Sequence, residues 1–153
     1  MALPYIFDNS VSENIISRIN KLNPESKPLW GKMNVAQMLA HCCVTYEFIY
    51  EEGKHKKPGG IMKFILKLLI KPVVVSEKPY KHNSKTAPAF LMTDKRVFES
   101  EKNRLIGFIQ KTQSLGAEYF NGKESHSFGV LSSTEWNNMF YKHINHHLSQ
   151  FGV

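Results

Sequence analysis

Close to its C-terminus the chain reads YKHINHHLSQ, from Tyr141 to Gln150, with His143 and His147 four residues apart. On a continuous helix that spacing stacks the two side chains one turn above the other. Two imidazoles so placed can point at a common centre about 2 Å from each nitrogen, as in zinc sites built on helices. Trp136, Phe140, His143, His147 and Phe151 follow one another at intervals of 4, 3, 4 and 4, so both histidines take places that a core-facing stripe would otherwise fill with apolar residues. An unpaired buried polar group costs on the order of 1–3 kcal/mol, and a shared metal would satisfy two such groups at once. The competing reading is an ordinary polar helix end, where His146 and its neighbours favour the negative pole of the helix dipole.

A catalytic zinc-type site uses three protein ligands and keeps one position for water or substrate. His41, in QMLAHCC, is the candidate third ligand. It stands one turn beyond Met38 on the shoulder of an apolar helix face, where a boundary histidine bonded to a neighbour is the alternative. His126, in ESHSFG before the last helix, is a candidate for the mouth of a pocket, whereas His55 and His82 stand among lysines and read as solvated. Cys42 and Cys43 are adjacent, a spacing that rarely forms a disulfide, and read as small buried hydrophobes rather than ligands. No general base is legible: Glu47 falls opposite the apolar face of its helix, and the other acids show no motif spacing.

Four helices must position these residues. Helical periodicity recurs in four segments and none shows sustained strand-like alternation, so the expected fold class is all-α. The first helix is expected from Ser10, with Ser10 and Glu13 as a capping box, to Asn23-Pro24. The second runs from Asn34, with Gln37 three residues on, through Val35, Met38, Leu39, Cys42, Tyr46 and Ile49 to Gly53. The third starts at Asp94, carries Val97, Phe98, Leu105, Phe108 and Ile109, and stops at Gly116, with Glu99, Glu101, Lys102 and Arg104 facing water. The last begins at Ser132, capped by Glu135, and runs to the chain end.

Between the second and third helices, Ile61 to Val75 reads as a short amphipathic helix with Lys63, Lys67 and Lys71 four apart. It is too short and too charged to span a bilayer. A surface helix with a solvated lysine stripe is the plain reading, and contact with anionic lipid the sharper one. From Pro72 to about Thr93 follows a long connection, of the kind that is functional or wraps the surface.

A chain of 153 residues with 42% hydrophobic and 22% charged content is expected to fold throughout as one domain, 1–153. The N-terminus, MALPYIFDNS, shows no secretion signal, and with only two cysteines a cytoplasmic location is expected. The net charge of +7 is spread over 20 Lys and Arg with KHKK, Lys54 to Lys57, as the one tight cluster. No nucleic-acid motif accompanies it, so specific nucleic-acid binding is not expected.

The runs PLWGKMNVAQMLAHCC, TAPAFLMTDKRVFESEKNRLIGFI and HSFGVLSSTEWNNMFYKHINHHLSQFGV resemble the DinB/YfiT-like superfamily, a group held to be metalloenzymes, in a branch with no assigned chemistry. The likeness covers the chain from about Pro28 onward. It implies an up-down-down-up four-helix bundle with a divalent metal, zinc or nickel, bound by one histidine of the second helix and two of the last. These match His41, His143 and His147, and Gln150 matches a glutamine that often follows. His126, Gln150, Thr45 and Trp136 make up the candidate pocket. The resemblance further implies a small-molecule substrate, with hydrolysis or transfer to a low-molecular-weight thiol such as bacillithiol or mycothiol as the reaction, and a homodimer as one possible assembly. The amphipathic stretch and the HSFG loop depart from the superfamily pattern. A non-catalytic ligand-binding or dimerising bundle is the alternative function.

Overall fold

Helix α1 (Asn9–Asn20) starts one residue before the expected position. The Ser10–Glu13 capping box does not form: the Asp8 carbonyl accepts from the amides of Val11 and Ser12, and Glu13 takes a hydrogen bond from the Asn9 side chain. Its inward face carries Ser12, Ile15 and Ile19. In the computed structural model, which describes residues 2–153, this helix leads into a mostly helical chain with one small two-stranded sheet.

Helix α2 (Val35–Tyr50) has the expected cap, Asn34 Oδ1 accepting from the Gln37 amide at 2.9 Å and Gln37 Oε1 from the Asn34 amide at 3.1 Å. The sequence shows one apolar face, yet from Val35 to Glu47 every residue but Gln37 is buried. Helices α5 (Phe98–Phe120) and α6 (Ser133–Gln150) and the 3₁₀ turn Pro88–Phe90 all pack on α2, so it is covered on several sides.

The amphipathic segment is helical, as α3 (Gly60–Ile65), a π-helical stretch at Leu66–Ile70, and α4 (Lys71–Val75) with Pro72 in its first turn. Of the expected lysine stripe only Lys67 is exposed without a cross-element pair. Lys63 pairs with Glu124 at 2.6 Å and Lys71 with Glu135 at 2.8 Å, both across to other elements, while the apolar side chains stand in solvent. The long connection then crosses the surface and contains the 3₁₀ turn Pro88–Phe90.

Helix α5 (Phe98–Phe120) begins after Val97 rather than at Asp94, and at Gly116, where φ is +72°, it kinks instead of ending. Glu101 is buried, not solvated, because Arg104 pairs with it at 2.6 Å and Arg96 covers it. A hairpin absent from the sequence reading follows, β1 (Lys123–Ser125) against β2 (Gly129–Leu131), antiparallel with Glu124 opposite Val130. Three residues per strand are too few to display alternation. Helix α6 (Ser133–Gln150) has both halves of the Ser132–Glu135 capping box.

Helices α1 and α2 each pack against both α5 and α6, and α5 packs against α6. Trp136, Phe140, Ile144 and Leu148 recur every four residues and enter one core with Ile15, Ile19, Met38, Leu39, Leu105 and Ile109. Tyr46 stacks on Phe140 at 5.2 Å between centroids, and Phe140 on Trp136 at 5.5 Å. Among the described residues no helix is long and apolar enough to cross a membrane.

Candidate metal centre

The face of α6 next to the Trp136–Phe140–Ile144–Leu148 row carries His143 and His147, and it meets α2 at His41. The ring centroids form a near-equilateral triangle: 5.0 Å between His41 and His143, 4.5 Å between His41 and His147, and 4.9 Å between His143 and His147. One ring nitrogen from each can be chosen so that all three lie within 4.8 Å of one another. His41 and His147 are buried and His143 half-buried.

The Nδ1 side of every ring is engaged. His41 Nδ1 lies 2.8 Å from the Phe90 carbonyl oxygen. A carbonyl only accepts, so Nδ1 carries the proton and Nε2 of the neutral ring keeps its lone pair. His147 Nδ1 lies 2.8 Å from Gln150 Oε1, while Gln150 Nε2 donates to the Trp30 carbonyl at 2.7 Å. That second bond fixes which end of the amide faces the ring, so His147 donates through Nδ1 as well. His143 Nδ1 is 3.0 Å from Thr45 Oγ1. Gly31 makes room for the glutamine: its φ is +85°, and a Cβ there would fall 2.5 Å from Gln150 Nε2.

A short contact joins two of the inward nitrogens, His41 Nε2 and His143 Nε2 at 3.0 Å. Since His41 Nε2 is the acceptor, His143 Nε2 holds the proton between them and its Nδ1 accepts from the Thr45 hydroxyl. Exchange of that proton for a cation requires only that His143 be protonated at Nδ1 instead, with the Thr45 hydroxyl turning from donor to acceptor. The donor set therefore fits a divalent ion of the borderline class, which imidazole nitrogens suit. Burial pushes His41 down to about 4 and His147 down to about 3, and it holds His143 well below the ordinary histidine range. All three rings are neutral and available as ligands around neutral pH.

Phe90, on the 3₁₀ turn, covers the cluster, with its ring 5.2 Å from His41 and 5.6 Å from His143. His126 does not join the cluster. It stacks on Phe48 at 4.2 Å, Phe48 packs on Phe90 at 5.5 Å, and Phe90 in turn meets His41 and His143, so along this path His126 stands two aromatic rings away. It lines a surface cleft of about 230 Å³ with Phe48, His55, Lys57 and Glu124. Trp136, proposed for the pocket, is instead 1% exposed in the core against Phe120 and Phe140, because its place on α6 faces α5 rather than α2. His82 is exposed as expected, yet it stacks on Trp30 at 3.8 Å. His55 gives up the solvated reading to a hydrogen bond with Glu47 at 2.6 Å.

Glu47 itself is buried rather than turned to water, held by Lys54 at 2.8 Å, by His55 and by a close contact from Arg104 of α5. Cys42 and Cys43 are buried free thiols, and burial pushes Cys43 up to about 12 and raises Cys42 well above the ordinary thiol range, so neither offers thiolate. Phe90, Trp30 and Gly31 were not among the candidates. Phe90 lies in an irregular connection with no periodicity to mark it, whereas the PLWG turn is marked only by its glycine.

A mostly helical protein with three converging imidazoles is the class that fold and site define. The chain belongs to the family described as "Protein of unknown function (DUF1569)", which matches residues 7–152. No curated protein and no solved structure matches it.

Proposed function

We propose that the chain is a metal-dependent enzyme of the DinB/YfiT type, a four-helix bundle of up-down-down-up order. His41, His143 and His147 hold one zinc or nickel ion in it, and a small molecule is the substrate. The observation that carries this reading is the orientation of the three rings. Each is tied at Nδ1 by Phe90, Thr45 or Gln150, so that the Nε2 sides converge, and among the described residues no carboxylate or thiol joins the group. Three protein ligands without a fourth is the pattern of a catalytic rather than a structural centre.

Bound there, a divalent ion lowers the pKa of a coordinated water or thiol towards neutrality and supplies a nucleophile without a protein base. That suits this site, because no acid joins the three rings among the described residues and Glu47 of the same helix as His41 is consumed by Lys54, His55 and Arg104. Transfer to a low-molecular-weight thiol fits this absence of a base, with hydrolysis as the second reaction class. The chain's own residues orient and shield: Phe90 O and Gln150 Oε1 set the tautomers of His41 and His147, and the Phe90 ring keeps water from the ligand rings.

That same cover favours a second reading, a non-catalytic bundle that sequesters its ligand, since Phe90 must shift before a substrate reaches the rings. Assay of the zinc- or nickel-loaded protein against a panel of thiol acceptors and esters separates the two. Saturable turnover that falls at least about a hundredfold in His143→Ala supports the enzyme. Turnover that is nil in a fully loaded protein, or equal in the variant, overturns it.

A further inference from the structure

The segment α3–α4 is built inside out for a surface helix. Ile61 is 83% exposed, Phe64 67%, Leu68 62% and Leu69 61%, with Met62, Ile65, Ile70 and Val73 also exposed. Beneath this crest Lys63 and Lys71 face the protein, on β1 and α6 through their glutamates, while Lys67 is exposed and Val74 and Val75 pack on the core. Eight large apolar side chains in one short segment make a patch on the order of several hundred Å², the size that marks an interaction surface. An amphipathic helix normally gives its apolar face to the protein, and here the ion pairs hold that face outward.

Charge identifies what the crest meets. From Lys54 to Lys85 the chain carries nine lysines and one acid, Glu77. Nine less one is +8 of a chain total of +7, which leaves −1 for all other residues. Lys54, Lys63 and Lys71 pair with acids elsewhere in the chain, and the lysines that bracket the crest in the open are Lys56 and Lys57 before it and Lys78, Lys81 and Lys85 after it. A second copy of the chain would bring these like charges face to face. An anionic lipid surface offers apolar depth for Ile61, Phe64, Leu68 and Leu69 and negative headgroups for the lysines around them. The two short helices and the π-helical stretch span 16 residues, Gly60–Val75, too few to cross a bilayer, so the segment lies in the interface.

We propose that the crest from Ile61 to Val73 is a docking surface for anionic lipid membranes, by which this protein works at a membrane face. The inference is independent of the metal centre. The test is partition of the full chain into vesicles of phosphatidylcholine alone and of phosphatidylcholine with phosphatidylglycerol at roughly three to one. Binding is expected to the anionic vesicles, to weaken several-fold in Lys56→Glu/Lys57→Glu and at raised salt, and to fall at least tenfold in Phe64→Ser/Leu68→Ser. Circular dichroism of both variants should match the wild type, since all four positions are exposed. Phe64→Trp should shift its emission to the blue on the anionic vesicles. The proposal is overturned if the folded wild type does not partition, or if Phe64→Ser/Leu68→Ser partitions equally. Two further outcomes overturn it: a concentration-dependent dimer that Leu68→Ser dissociates without any vesicle binding, and capture by polyglutamate in preference to vesicles.

Discussion

His147 shows how a single side chain becomes a usable ligand here. Its ring is buried, so burial alone keeps it neutral, but neutrality leaves the proton free to sit on either nitrogen. Gln150, one turn further along α6, removes the ambiguity because its amide is itself fixed by the Trp30 carbonyl. The spacing of His143 and His147 was legible in the sequence, as was the inward stripe. The tautomer was not, since it depends on a loop 120 residues away that periodicity does not reach. Truncation of Gln150 to Ala leaves the His147 N–H without its acceptor, and groups of this kind typically contribute 10–100-fold to metal affinity. Gln150→Ala is therefore expected to bind zinc about tenfold or more weakly with unchanged helix content. Unaltered affinity in a titration against a chromophoric chelator would show that the glutamine serves only to tie α6 to the Trp30 loop.

At the level of elements, α2 is the pivot, because it carries His41 and Thr45 on one side and Glu47 on another. Capping signals at Asn34 and Ser132 located the starts of α2 and α6 correctly, since a capping box is a local arrangement that a few residues specify. Glu47, Glu101, Lys63 and Lys71 depart from the expected exposure for one shared reason, whereas Lys67 is exposed as expected. Whether a charged residue faces water is decided by what packs on its helix, and here Arg104 of α5 crosses to Glu47 while Glu124 and Glu135 draw Lys63 and Lys71 inward. Burial works against ionisation of Glu47, yet the hydrogen bonds from Lys54, His55 and Arg104 outweigh it and hold the carboxyl down to about 2. A carboxyl lowered in the folded state stabilises above its unfolded pKa of 4.5, and that stabilisation is lost as pH falls from 4.5 towards 2. Glu47→Gln should cost roughly 2 kcal/mol at pH 7, by urea unfolding, and should flatten the acid limb of the stability profile between those pH values. A variant as stable as the wild type at pH 7, with the same acid limb, would mean that the α2–α5 ion cluster contributes nothing net.

Across the whole molecule, residues 102 positions apart in sequence, His41 and His143, come within hydrogen-bond distance because α2 and α6 both pack on α5 and on each other. Helical character was legible along most of the chain, since α1, α2, α5 and α6 each show a strong period. The β1–β2 hairpin and the Phe90 turn were not, because three-residue elements carry no period to detect. The molecule thus joins a core of stacked aromatics, from Trp136 through Phe140 to Tyr46, to a polar end where the same two helices exchange apolar packing for three imidazoles. Such a preformed triangle should take up one ion with little rearrangement. Calorimetric titration of the metal-free protein with zinc or nickel tests this most directly. One ion per chain is expected, with affinity at least about a hundredfold weaker in His147→Ala at unchanged helix content. Equal affinity and stoichiometry in wild type and His147→Ala, or no uptake by the folded wild type, would contradict it.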